Sequence, residues 1–212
     1  FFMNSILIGS RREVFWDESL IDRSRSTAEL VLHKPRIEEI VFVHDAPWEG
    51  DGCNSYSIVK IDNIYRAYYL AWKMMNEDCT AHIVGNEHFV CCLESTDGIH
   101  WTRPNLGICE FNGSFDNNII LNFSNCEFDD MVHVFIDENP ACPPDEKFKA
   151  IGHDRKKALS CYVSADGLHF RKGWKMTDVG KFDTNNIAFW SPEKNCYFAY
   201  IHDLNKKKKG GR

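Results

Sequence analysis

The chain has 212 residues, 43% of them hydrophobic and 26% charged, a globular composition with enough apolar mass for a sizeable core. A net charge of −6 argues against a nucleic-acid footprint, and no apolar run approaches the ~20 residues that cross a bilayer as a helix. The nine cysteines are an odd number without metal-like pairing, and most of them read as small buried hydrophobes in a reducing compartment, which favours the cytoplasm.

No signal peptide is evident, and the chain opens at Phe1 rather than Met, which fits a removed leader or a missing start. Residues 1–36 read as an N-terminal leader or edge segment: Asp17 to Ser26 is polar, and Ala28 to Leu32 alternates before stopping at Pro35. Short β runs follow. Ile40-Val41-Phe42-Val43 is apolar and β-branched and ends at His44-Asp45-Ala46-Pro47. Tyr56 to Ile61 alternates and turns at Asp62-Asn63; Ile64 to Trp72 is longer; His88 to Leu93 ends in Glu94-Ser95-Thr96-Asp97-Gly98. In that strand the adjacent Cys91 and Cys92 would face opposite sides. Four short strands bounded by turn residues make one antiparallel unit.

The pattern recurs. Asn118 to Leu121, Met131 to Ile136, Phe148 to Gly152 and Leu159 to Val163 read as four more strands, and a third unit starts with Asn186 to Trp190 and Cys196 to Ile201. Ser95-x-Asp97-Gly98-x-His100-Trp101 returns as Ser164-x-Asp166-Gly167-x-His169-Phe170, an offset of 166 − 97 = 69 residues. Asp116-Asn117-Asn118-Ile119 is echoed by Asn185-Asn186-Ile187 after Asp183, with 185 − 117 = 68. A period near 70 residues with four strands per unit, and no convincing amphipathic helix, predicts an all-β β-propeller. The expected blades are about 37–104, about 113–174 and a start at about 182–212, or two and a half. Closing a ring takes about four to eight, so absent sequence or another chain would supply the rest. Asp97, Asp166, His100 and His169 suit tight structural turns, with Trp101 and Phe170 plugging the gaps between blades.

Asp45, Asp137 and Asp183 are the catalytic candidates. They lie at strand ends that a propeller gathers toward one end of its axis, where crowding would raise at least one pKa and place an acid beside an ionised base or nucleophile. Cleavage of a glycosidic bond needs that pair. Each also fits a turn cap, as in Asp137-Glu138-Asn139-Pro140. Trp48 and Trp190 are candidate sugar platforms, although core packing is the commoner fate of a Trp. Glu49 is a further acid candidate; Asn117, Asn118 and Asn186 complete the substrate-binding set. Glu193, in the hairpin sequence Ser191 to Asn195, ranks lower. Metal-binding, phosphate-loop and nucleophile-elbow motifs are absent from the sequence. No cofactor is expected; His133 reads as a core histidine, with an axial Ca or other ion left open. The expected partner is an oligosaccharide, not nucleic acid or a membrane.

His44-Asp45-Ala46-Pro47-Trp48-Glu49, Tyr65-Arg66-Ala67-Tyr68-Tyr69, Glu94 to Pro104 and Gly113 to Ile119 together resemble the five-bladed propellers of glycoside hydrolase families 32 and 43, the β-fructofuranosidase and arabinanase-like enzymes. The resemblance covers about Leu32 to Ile201 and implies glycosidase activity on oligosaccharides through axial carboxylates. It places Asp45 as nucleophile or base and Asp137 as transition-state stabiliser. The family 32 pattern Asn-Asp-Pro-Asn-Gly is not present, Ile136 stands where an Arg precedes the second Asp, and the Glu-Cys-Pro acid element has no clear counterpart, Asp183 being the nearest carboxylate. A non-catalytic carbohydrate- or protein-binding propeller, or an inactive fragment, is the alternative.

Overall fold

A computed structural model describes residues 6–10, 12–83, 87–122, 128–154, 158–182 and 185–203, and among them ten strands in three antiparallel sheets and one short 3-10 helix, Pro144–Glu146, make up the regular structure. The first sheet runs β1 (Gly52–Ile61), β2 (Ile64–Trp72), β3 (His88–Ser95) and β4 (Ile119–Leu121), hydrogen-bonded in that order. The second is β5 (Phe128–Ile136), β6 (Phe148–Asp154), β7 (Leu159–Ser164) and β8 (Arg171–Thr177), and the third pairs β9 (Ile187–Ser191) with β10 (Cys196–Tyr200). Asp62-Asn63 closes the first hairpin, with Ile61 opposite Ile64 and Asp62 at φ 52, the positive value a two-residue hairpin turn demands.

Alternation along the strands decides which residues meet. Tyr68 and Leu70 of β2 and Val90 and Cys92 of β3 face one way, and pack against Val134, Phe148, Ala150 and Tyr162 of the second sheet. Tyr69, Ala71, Phe89 and Cys91 face the other way, under Phe42, Trp48, Trp101 and Phe111. Cys91 and Cys92 thus lie in different cores. The first strands of the two sheets also touch, since the Val134 N–H donates to Ser57 Oγ at 3.0 Å. Phe135, Ile151, Cys161 and Val163 face Ala188 of the third sheet.

The two Ser-x-Asp-Gly turns are built alike. Asp97 Oδ1 accepts the Ile99 and His100 N–H groups at 2.8 Å each, Ser95 Oγ accepts that of Gly98, and Asp97 Oδ2 meets His100 Nδ1 at 2.6 Å. Asp166, Ser164 and His169 repeat this set. His100 and the two N–H bonds hold the Asp97 carboxyl well below its usual range. Phe170 lies between the first two sheets, whereas Trp101 packs on the far face of the first. Gly167 sits at φ +75, and an added Cβ would fall 2.7 Å from the Tyr68 hydroxyl and 2.8 Å from Phe148 Cδ1; Gly98, at φ +79, has nothing nearer than 4.0 Å. Gly98→Ala therefore costs only backbone strain, about 1–2 kcal/mol. Gly167→Ala adds overpacking of about 1–3 kcal/mol. Urea unfolding of the two variants measures the difference, and equal losses would mean that the second turn does not press on Tyr68.

Three expectations need correction. Ile40 to Val43 is not a strand. Its residues pair with no ladder, and Ile40, Val41 and Val43 are exposed, because local β-propensity cannot supply a partner edge. The run at Asn118 to Leu121 does not open the second unit: β4 pairs with β3 and closes the first sheet. The 68-residue echo consequently links unlike places, since Ile119 starts the last strand of one sheet and Ile187 starts the third sheet. The 69-residue echo does link like places, at the ends of β3 and β7.

The chain divides into two compact units, Phe1–Glu39 and Ile40–Arg212. The described part of the first has turns at Asp17 and Asp22, each carboxylate accepting the N–H two residues on, and no helix or strand. All ten strands belong to the second.

Candidate functional site

The far face of the first sheet carries a polar network rooted in one buried carboxylate. Glu49 follows a turn closed by its own N–H to the Ala46 carbonyl, and is 0% exposed. Its Oε2 accepts the Ala46 N–H at 2.8 Å and Arg103 Nη2 at 2.7 Å. Its Oε1 accepts the Tyr69 hydroxyl at 2.5 Å and Arg103 Nε at 3.1 Å, and lies 3.0 Å from His44 Nδ1. Burial alone would raise the Glu49 carboxyl, but Arg103, Tyr69, the Ala46 N–H and His44 outweigh it and the net shift is downward. The same contacts push the Arg103 guanidinium up. Glu49 is an ionised anchor whose oxygens are taken, not a proton donor.

Arg103 carries this anchor outward. Its Nη2 also donates to Asp45 Oδ1 at 2.8 Å and to the Val43 carbonyl at 2.7 Å, and its guanidinium lies 4.5 Å from the Phe42 ring centre. Asp45 itself is 70% exposed. Inward, the Tyr69 hydroxyl accepts Asn118 Nδ2 at 3.0 Å, and Asn118 Oδ1 accepts the Trp48 indole N–H at 2.8 Å. His44 Nε2 is hydrogen-bonded by the Tyr56 hydroxyl, and the Tyr56 ring stacks on Tyr69 with centroids 5.6 Å apart and planes at 16°.

The structure thus brings together Asp45, Trp48, Glu49 and Asn118 of the predicted set. It adds Arg103, His44, Tyr56 and Tyr69, which the sequence reading did not assign. Asn117 is not part of the network: it is buried, with its amide donating to the Cys109 carbonyl at 2.8 Å and accepting the Ile119 N–H at 2.9 Å. Asn186 likewise bonds backbone, at the Phe182 carbonyl and the His202 N–H.

Asp137 sits in a different network. Its side chain is 0% exposed and meets Lys149 Nζ at 2.6 Å, the Tyr197 hydroxyl at 2.6 Å and the Asn139 N–H at 3.0 Å. Lys149 Nζ also reaches Cys142 Sγ and the Glu146 carbonyl at 3.1 Å each. Burial opposes both charges, yet the pairing wins: Asp137 is lowered and Lys149 is raised. The expectation of a carboxyl pushed upward by crowding thus finds no support at Asp137. Trp190 meets Tyr197 edge-on at 4.8 Å. Beside it lies a cavity of about 310 Å³, lined by Phe135, Ile151, Trp174, Tyr197 and Phe198. Asp183 lies outside the described residues. Burial lowers the His133 pKa, and among the described residues no group of three or more His, Cys, Asp or Glu side chains is placed to hold a metal ion.

Comparison with known proteins finds no matching family model, no similar curated protein and no similar solved structure.

Proposed function

We propose that the chain is part of a β-propeller of the five-bladed type that binds an oligosaccharide and cleaves its glycosidic bond, with Asp45 the carboxylate that faces the substrate. One observation carries this reading: Asp45 is exposed, yet held at 2.8 Å by an arginine rooted in the buried Glu49. A solvent-facing carboxylate fixed by a buried ion pair is positioned in advance, which suits an attacking group or the base that activates water. The stacking of two four-stranded sheets, with their first strands in contact, supports the radial arrangement. Asp137 is assigned to holding the second and third sheets together, through Tyr197.

A second reading, a propeller that binds glycans without cleaving them, is favoured by the lowered carboxyls of Glu49 and Asp137, neither of which can act as a general acid. Turnover of arabino-, xylo- and fructo-oligosaccharides by the intact protein and by Asp45→Asn separates the two. The first reading expects kcat to fall about 10²–10⁴-fold. It also expects stability within about 1 kcal/mol of the wild type, since only one half-exposed ion pair is lost. Binding without turnover supports the second, and equal turnover by both proteins refutes the role of Asp45.

A further inference from the structure

We propose that Tyr56 is the proton donor to the leaving group, with His44 and Glu49 as its positioning residues. The proposal rests on the glycosidase reading of Asp45 and supplies the acid that Glu49 and Asp137 do not. Three observations point to it.

The first is the order of atoms. The Tyr56 hydroxyl bonds His44 Nε2, and His44 Nδ1 lies 3.0 Å from Glu49 Oε1. A buried carboxylate on one ring nitrogen fixes that nitrogen as N–H and aims the other at its partner. The chain of contacts therefore runs from a fully buried charge to a tyrosine that is 43% exposed.

The second is the backbone that aims Tyr56. Asn54 lies opposite Leu70 and Ser57 opposite Tyr68, so two residues, Ser55 and Tyr56, stand against the single Tyr69. Ser55 is at φ 57, a left-handed conformation that costs a non-glycine residue about 1–3 kcal/mol. Without the extra residue, strict alternation from Asn54 would turn Tyr56 toward the second sheet. The bulge places it on the His44 face instead, and bulges recur where a strand must re-aim a functional side chain.

The third is the state of the phenol. Burial, with the nearby Cys53, Glu49 and Cys91, pushes its pKa up to about 12, so Tyr56 carries its proton at neutral pH.

In the step, the bond between the anomeric carbon and the glycosidic oxygen breaks, and its electron pair stays on that oxygen, which takes the phenolic proton. The hydroxyl turns from His44 Nε2 to deliver that proton, the phenolate left behind is reprotonated from solvent, and the His44 Nδ1–H remains on Glu49. A water molecule adds its oxygen to the anomeric carbon and passes a proton to Asp45. Asp45 then releases that proton to solvent, which replaces the one taken up by Tyr56, so one water is consumed per bond cleaved and no proton is gained or lost.

The test compares Tyr56→Phe with wild type on matched methyl and 4-nitrophenyl glycosides of arabinose, xylose and fructose. Nitrophenolate leaves without a proton, whereas methoxide needs one. The proposal expects kcat on the methyl glycosides to fall about 10²–10⁴-fold and on the nitrophenyl glycosides less than about tenfold. His44→Gln is expected to show the same split at smaller size, and serves if Tyr56→Phe does not fold. Equal losses on both substrates, in whichever variant folds, overturn the donor while leaving Asp45 standing. No turnover of either substrate by wild type overturns the Asp45 reading and the donor with it.

Discussion

Replacing Glu49 by Ala is expected to cost about 3–5 kcal/mol, the loss that follows when one partner of a buried ion pair is removed, with only the exposed Asp45 left as counter-charge to Arg103. Arg103, only 25% exposed, would lose its buried counter-ion, and the Tyr69 hydroxyl, His44 and the Ala46 N–H would each lose a partner in the same change. For a chain of this length each kcal/mol corresponds to about 2–4 °C, so thermal unfolding should shift down by about 10 °C. The pH dependence has a definite sign. The folded-state pKa of Glu49 lies below its usual value of 4.5, so its contribution is fully present above that value and is lost as pH falls through the folded pKa. Glu49→Gln should therefore flatten the acid side of the stability profile below about pH 4.5. A Glu49→Ala variant within about 1 kcal/mol of wild type would show that the network is ornamental to the fold.

Lys149→Met should cost a comparable ~3–5 kcal/mol, because it strands the Asp137 carboxylate without a counter-charge, leaving Tyr197, the Asn139 N–H and the Cys142 thiol as donors. The compensating change separates pairing from packing. Asp137→Asn combined with Lys149→Met removes both charges, and buried pairs replaced together are often near neutral. The double variant should recover at least half of the single-variant loss in urea unfolding. A double variant as unstable as Lys149→Met alone would mean that the lysine's contacts to Cys142 and the Glu146 carbonyl, rather than the ion pair, carry the cost.

Much of the strand pattern could be read from the residues, for reasons that also explain the failures. Tyr56 to Ile61, Ile64 to Trp72 and His88 to Leu93 alternate or form apolar runs between turn residues, and β1, β2 and β3 cover them. β8 went unread because an edge strand is kept polar: Arg171, Lys172 and Lys175 give it no apolar period, and charge on an edge discourages further pairing. Ile40 to Val43 has the propensity of a strand, but a strand also needs a ladder, and the edge beside β2 is occupied by β1. The buried run at Ile119 fixed a strand without fixing its sheet, since three apolar residues say nothing about a neighbour.

The candidate site was visible only where it is local. Asp45, Trp48 and Glu49 lie within five residues of one another, and their chemistry stands out there. Arg103 is 54 residues from Glu49, and Asn118 is 70 from Trp48, so those bonds exist only once the first sheet has formed. The role of Glu49 was equally hidden. Whether a carboxylate is an acid or an anchor depends on how many donors surround it, and here the donors come from Ala46, Tyr69 and Arg103 on separate segments. Tyr56 could not be placed either, because its direction is set by a bulge that alternation does not reveal.

The most direct measurement is an amide and side-chain NMR titration of the protein with arabino-, xylo- and fructo-oligosaccharides. Binding at the Asp45 end of the first sheet predicts saturable shifts at His44, Asp45, Tyr56 and Arg103, and little change at Asp137 or Tyr197. Shifts confined to Asp137, Lys149 and Tyr197, or none at millimolar sugar, would contradict it.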